Sequence, residues 1–536
     1  MRYSIRGPRR GPALLATAVA LATVAACSGG SAAGPAGSPS APSPGPATSA
    51  QPSPTPTPTR TYPLSSAPRT VPAVRSHEPA RGPGWKPAPA GGVVIAANSG
   101  GLADEGKLIA GELGIPYRGA VAAGPGDVEL ALGGTGAPES YTLAVRDGRV
   151  RISGPDEAGV FYGTRTLKQS VKATGAMPEG TVNDRPAKPQ RGLNVDTARK
   201  HFTAAWIEDR IREMGDLKLN QLGLHFSDDQ GFRIASDSHP EVVSAQHLTK
   251  AEVRRILALA AERHVTVVPE IDSPGHLGAV IAAHPDLQLR SATGRAPRGA
   301  VDIANPESAR IVDDLLREYA QLFPGAYWHL GADEYVALMA KDPEATYPEL
   351  ARAAKAKYGP SARVQDLATG WLNDRAAVVR PTGKILKAWN DGFFTGGVVN
   401  AAKDLEVEYW TGKEIGARSP VSYLSQGRRM VNLNDEYLYY VLGEPNDFAY
   451  PTGRRIYEQW TPLVVRGTGP VPAKYDPQIL GARFAVWCDL ANSQTPAQVA
   501  AGIRLPLAAL SQKVWNPAKP TESWDRFRAL AERVRG

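Results

Sequence analysis

From residue 192 onward, eight short apolar runs that read as strands alternate with segments of helical period. The runs are Gly192–Asp196, Gln221–Phe226, Val265–Asp272, Tyr327–Asp333, Ile385–Asn390, Leu405–Trp410, Met430–Asn434 and Phe484–Asp489. Ala204–Leu217, Lys250–His264 and Pro306–Leu322 carry helical patterns between them, and Pro496–Leu510 follows the last. Near-continuous apolar strands are what a parallel sheet covered on both faces requires. Eight such repeats predict an α/β fold, a (β/α)8 TIM barrel with insertions, over residues 185–536.

Polar and aromatic side chains collect at one end of these runs. Asp196 with Arg199, His225 with Asp228 and Asp229, Glu270 with Asp272 and His276, Asp333 with Glu334, Trp389 with Asp391, Trp410, and Trp487 with Asp489 all fall at C-terminal strand ends. Function gathers on that face of such barrels. The run Tyr327–Leu330 leads to adjacent carboxylates, Asp333 and Glu334. Burial and mutual repulsion at the edge of a core push the pKa values of such a pair apart, which suits a general acid. An Asp-Glu pair that merely opens a helix is the plainer alternative.

The N-terminus reads as an export signal over residues 1–26. Arg2, Arg6, Arg9 and Arg10 precede an apolar run from Ala13 to Ala26, too short for a membrane span. Val24-Ala25-Ala26-Cys27-Ser28 resembles a bacterial lipobox with Cys27 as the lipidated residue; an ordinary signal peptide is the alternative. Residues 27–92, rich in Pro, Ser, Ala, Gly and Thr, are expected to form an extended tether. The chain would then sit at the extracellular face of a bacterial membrane, held only by its lipid, or be secreted. Cys488 would have no disulfide partner.

The net charge of +8 lies within the first 92 residues, which hold nine Lys or Arg and one acidic residue. A neutral body has no phosphate-tracking surface, so a nucleic-acid partner is excluded. Residues 93–184 read as a small α+β accessory domain. Val93–Ala96 and Val128–Leu132 are strands, Tyr141–Ile152 is a hairpin turning at Asp147-Gly148, and a helix starts near Phe161.

Five blocks of this chain, in order, resemble family 20 glycoside hydrolases, the β-N-acetylhexosaminidases. They are Gly159–Gln169 in the accessory domain, Arg191-Gly192 before Asp196 and Arg199, Leu224–Arg233, Pro269–His276, and His329-Leu330-Gly331-Ala332-Asp333-Glu334. The resemblance implies an exo-acting, retaining enzyme acting on oligosaccharides that end in a β-linked N-acetylhexosamine, with neither cofactor nor metal. Neighbouring carboxylates on one strand end do not face each other across a glycosidic bond, so the acetamido group of the sugar is the expected nucleophile. The resemblance makes Glu334 the acid and then the base, and Asp333 the group that orients the acetamido N–H. As an anion, Asp333 would also tend to keep Glu334 protonated. Asp228 and His276 would support the acid, with Asp272 beside them. Arg191 would hold sugar hydroxyls. Trp371, Trp389 and Trp487 would wall the pocket, with barrel core as the alternative for Trp371. Tyr439, or else Tyr437, would bind the acetamido carbonyl, and Asp489 would read hydroxyls.

The chain departs from the family pattern in three places. Phe232 stands where Trp is common, the Tyr-x-Asp motif lacks its Asp, and Trp-x-Glu is shortened to Trp487-Cys488-Asp489. Recognition at positions 4 and 6 of the sugar therefore differs, and release of a disaccharide, as by a lacto-N-biosidase, stays open. Two other readings remain beside these. One is a metal-dependent hydrolase using His225, Asp228, Asp229, Asp272 and His276; the other is a non-catalytic surface lectin.

Overall fold

The computed structural model describes residues 61–414 and 416–535. Residues 1–60, with the export signal, the lipobox and Cys27, lie outside the described residues.

The accessory domain is a seven-stranded mixed sheet backed by helices Ala103–Leu113 and Glu157–Thr174. The hairpin Tyr141–Arg146/Arg149–Gly154 turns as expected, with Asp147 and Gly148 both at positive φ (53° and 69°). That geometry matches the twist of the paired strands. The Asp156 side chain starts the second helix by accepting from the Gly159 N–H at 2.7 Å.

Residues 61–92 do not form the expected tether. They are packed: His77–Pro79 pairs with Gly180–Asp184, and Val71 and Trp85 are buried. The Gln169 amide holds both the N–H and the carbonyl of Val71. A few anchoring apolar residues overcome a composition rich in Pro and Gly.

The barrel closes as expected, with β1 (Gln190–Asp196), β2 (Gln221–His225), β3 (Thr266–Glu270), β4 (Tyr327–His329), β5 (Ile385–Trp389), β6 (Glu406–Tyr409), β7 (Met430–Asn432) and β8 (Ile479–Trp487) all parallel. Every residue of β1, β2 and β8 is buried, which is why their sequences do not alternate. β8 starts five residues before the apolar run suggested, because Gly481 and Arg483 interrupt the pattern. β7 stops early. After a helical turn, Asp435–Leu438, a short strand Tyr439–Val441 re-enters beside the upper half of β8, with Tyr439 opposite Ala485.

The barrel interior is charged. Lys387 bonds Gln190 (2.6 Å) and Glu406 (2.8 Å), and Arg483 pairs with Glu408; all are buried. Buried charges persist only when paired, and here cations and carboxylates alternate from β5 through β6 to β8.

Candidate active site

β4 leads into a tight turn that delivers the two carboxylates. Gly331, Ala332 and Glu334 all have positive φ (68°, 80° and 48°). For Ala332 and Glu334 this is strained backbone that the surroundings must hold. Two carboxylates do so: Asp272 Oδ1 accepts from the Ala332 N–H at 2.8 Å, and Asp391 Oδ2 accepts from the Glu334 N–H at 3.0 Å. Asp391 also takes the Trp410 indole N–H at 3.0 Å.

Around Glu334 the groups form a chain. His276 Nε2 lies 3.4 Å from Glu334 Oε2, and its Nδ1 lies 3.4 Å from Asp228 Oδ2. The same Asp228 oxygen receives Arg199 and His225, each at 2.8 Å. His225 continues to Glu270 at 3.1 Å, and Glu270 to His329 at 3.1 Å. The chain runs from the barrel core to the exposed edge, where the Glu334 side chain is 37% accessible.

This chain sets the proton affinities. Burial works against a charged His276, yet Asp228, Asp333 and Glu334 hold its pKa well above the ordinary value. Burial opposes ionisation of Asp228 too, but His276, His225 and Arg199 keep it well below the usual range. Glu334 is lowered, chiefly by its hydrogen bond to His276. Asp333 is raised by burial and by its acidic neighbours. Asp272 is raised well above normal by burial and by the neighbouring charge of Asp333. Asp272 Oδ2 and Asp333 Oδ1 are buried without a hydrogen-bond partner. The expectation that Asp333 would keep Glu334 protonated is thereby reversed: the imidazolium of His276 outweighs Asp333, and the free site holds its proton on His276.

An aromatic wall completes the site. Trp389, Tyr439 and Trp487 belong to one apolar cluster, with Trp410 against its edge. Trp487 sits 5.8 Å from Trp389 and 5.9 Å from Tyr439, and Trp410 stacks parallel on Tyr439 at 5.7 Å. Burial and the nearby Asp333 push the Tyr439 hydroxyl well above its usual pKa, so it stays a donor. Tyr437 is buried under Arg455 and takes no place in the wall.

The structure therefore brings Asp333, Glu334, Asp228, His276, Asp272, Trp389, Tyr439 and Trp487 to one end of the barrel. Asp489 stands exposed just beyond the end of β8, within the field of Arg199. Two assignments need correction. Arg191 opens β1 at the opposite, N-terminal end of the barrel, fully buried, paired with Glu139 at 2.8 Å and bonded to the Lys218 carbonyl at 3.0 Å. It ties the barrel to the accessory domain and reaches no sugar. Trp371 lies in helix Val364–Val379 within the main core, its indole N–H donating to Ser273 at 3.0 Å. It braces the turn after Asp272 from within the main core and lies outside the Trp389 cluster. Arg199, Asp391 and Trp410 are the site residues to which the sequence assigned no role, although all three stand in its strand-end register. Of the residues considered for a catalytic metal, His225, Asp228 and His276 join the chain of groups around Glu334 and Asp272 lies beside it, whereas Asp229 accepts from the Gly278 N–H at 3.0 Å and faces Arg298.

Residues 189–518 match the family described as "Glycosyl hydrolase family 20, catalytic domain", and residues 67–185 match "Glycosyl hydrolase family 20, domain 2". A lacto-N-biosidase of Bifidobacterium bifidum is 28% identical over 397 residues, covering 74% of this chain and 34% of that protein. A β-hexosaminidase of Vibrio furnissii is 27% identical over 414 residues, covering 69% of this chain and 64% of that protein. The chain thus spans about a third of the first relative and under two thirds of the second. The fold is shared with an exo β-N-acetylglucosaminidase of Vibrio harveyi, with a TM-score of 0.71 at 21% identity over 88% of this chain and 77% of the other. With both of its domains matched in order and the Asp333-Glu334 turn at the mouth of the barrel, this chain belongs to glycosyl hydrolase family 20.

Proposed function

We propose that this protein is a retaining exo-glycosidase that removes terminal β-linked N-acetylhexosamine by substrate-assisted catalysis. One observation carries the reading: Asp333 and Glu334 stand side by side on the turn after β4, and three neighbouring carboxylates are engaged by the protein. Asp228 is held by His276, Arg199 and His225, Asp272 by the Ala332 N–H, and Asp391 by Glu334 and Trp410. Asp333 follows the same strand and directly precedes Glu334, so the two do not face each other across the sugar as a two-carboxylate retaining site would need.

The acetamido carbonyl of the substrate then supplies the attacking oxygen. As a sugar covers the half-open Glu334, loss of water favours its neutral form, and the proton moves from His276 Nε2 across the 3.4 Å contact. Glu334 gives this proton to the glycosidic oxygen as the bond to the anomeric carbon breaks. The acetamido oxygen bonds to that carbon, and Asp333 accepts the acetamido N–H and offsets the positive charge of the oxazolinium ion. Tyr439 donates to the same oxygen and fixes its line of attack. Water, deprotonated by Glu334, then attacks the anomeric carbon and reopens the ring with net retention. No metal or cofactor takes part in these steps.

The experiment is proton NMR of the first anomer released from an aryl N-acetyl-β-glucosaminide; an α-anomer released first sinks the reading. A disaccharide-releasing variant of the same chemistry draws support from the shortened Asp489 and from the lacto-N-biosidase likeness, and product size from a lacto-N-type tetrasaccharide decides it. The lipobox at Cys27 supports anchoring at the outer face of a bacterial membrane. Loss of membrane retention in Cys27→Ala is the corresponding test.

A further inference from the structure

A second cluster of titratable groups lies away from the active site. His239 precedes the turn Pro240–Val242 in the loop that follows β2, and His284 caps helix Gly278–Ala283 in the loop that follows β3. Between them stands Glu241. His239 Nδ1 and His284 Nε2 converge on the same oxygen, Glu241 Oε1, at 2.8 and 2.9 Å. All three candidate ligand atoms lie within 4.8 Å of one another. On its other side, His239 Nε2 faces Asp314 Oδ2 at 3.6 Å and is buried without a hydrogen-bond partner, and the His239 side chain is only 7% accessible.

Two imidazoles and one carboxylate converging on a point are a set of zinc ligands, needing about 2.0–2.2 Å from the ion to each. A bound ion would take the lone pair of His239 Nδ1, which fixes the proton on Nε2, where Asp314 stands ready to accept it. That carboxylate behind a ligating histidine is the outer partner such sites use. Asp314 is itself held by Arg310 (2.9 Å) and Arg317 (3.0 Å). The Glu241 and His284 side chains are 41% and 27% accessible, which gives the ion an entry path and leaves its fourth position to water. The sealed His225, at 2% accessibility, has no such path.

We propose that His239, Glu241 and His284 bind one zinc ion that staples the loop after Asp228 to the loop after His276. Helix Gly278–Ala283 begins two residues beyond His276, so the ion would brace both members of the pair behind Glu334 without touching substrate. The proposal is independent of the reaction the site performs.

The test uses the full chain, stripped with chelator and dialysed against zinc or magnesium. Elemental analysis of the zinc sample should find about one ion per chain, and its thermal midpoint should rise by roughly 3–5 °C, while magnesium does neither. His284→Asn should abolish both zinc effects while leaving the midpoint of the stripped protein unchanged. Glu241→Gln serves as a second variant if His284→Asn does not fold. Absence of retained zinc overturns the proposal, as does equal retention by wild type and both variants, which would place the ion elsewhere.

Discussion

His276 stands 3.4 Å from Glu334 through one ring nitrogen and 3.4 Å from Asp228 through the other, so one imidazole links the catalytic acid to the barrel core. Asp228, then Asp333 and Glu334, raise the pKa of His276, and the hydrogen bond to His276 lowers that of Glu334. In the free protein the pair therefore loses its shared proton at the high pKa of His276. Replacing His276 by Asn removes the main influence lowering Glu334, and the remaining proton is then lost in the carboxylate range. The alkaline limb of kcat/KM should move toward acid by at least about 2 pH units, the gap between ordinary His and Glu values. An unmoved limb in the pH–rate profile contradicts the shared proton.

Glu334→Gln should lower kcat on N-acetyl-β-hexosaminides by roughly 10²–10⁴. An aryl glycoside with a better leaving group needs less protonation and should lose less. Steady-state kinetics on two aryl leaving groups measure the difference, and an equal loss for both would remove Glu334 from the acid step.

Asp333→Asn keeps the shape but removes the charge that opposes the developing oxazolinium. A loss of about 10²–10³ in kcat is expected for substrates carrying the acetamido group. The same protein should show no comparable activity on β-glucosides bearing a hydroxyl at that carbon. Equal turnover of the two sugars by wild type would refute the internal nucleophile.

Much of this architecture is legible in the chain because parallel strands buried on both faces leave apolar runs, and because side chains at their C-terminal ends recur in register. What escapes is set by direction and by pairing. Arg191 looks like a ligand-binding cation, but it opens its strand at the end opposite the site. Lys387, Glu406, Glu408 and Arg483 resemble exposed positions singly, and only their mutual pairing makes them interior. Val71 and Trp85 are hidden by surrounding Pro and Gly. His239 and His284 are brought together by two loops with no shared motif between them.

The two arginines separate by measurement. Arg191→Met breaks a buried pair with Glu139 and should cost about 3–5 kcal/mol of stability, with KM nearly unchanged in the folded fraction. Arg199 sits at the mouth, bonded to Asp196 (3.0 Å) and Asp228 (2.8 Å), with its guanidinium 5.6 Å from the Trp487 ring. Arg199→Lys keeps the charge but not the fork, so KM should rise while the thermal midpoint moves little. A KM effect from Arg191 and none from Arg199 would reinstate the original assignment.

Gly331 tests the turn itself. It has φ of 68°, and a Cβ there would lie 1.7 Å from Asp272 Oδ1, the atom that holds the Ala332 N–H. Gly331→Ala must therefore push Asp272 aside or twist the turn, and either movement displaces Asp333 and Glu334 together. A shift of about 1 Å at reacting groups costs on the order of 10² in rate. The expected result is a kcat reduced by that factor or more, with circular dichroism unchanged because the barrel strands are untouched. Wild-type kcat in Gly331→Ala would show that the turn tolerates a side chain and that Asp272 does not position the pair.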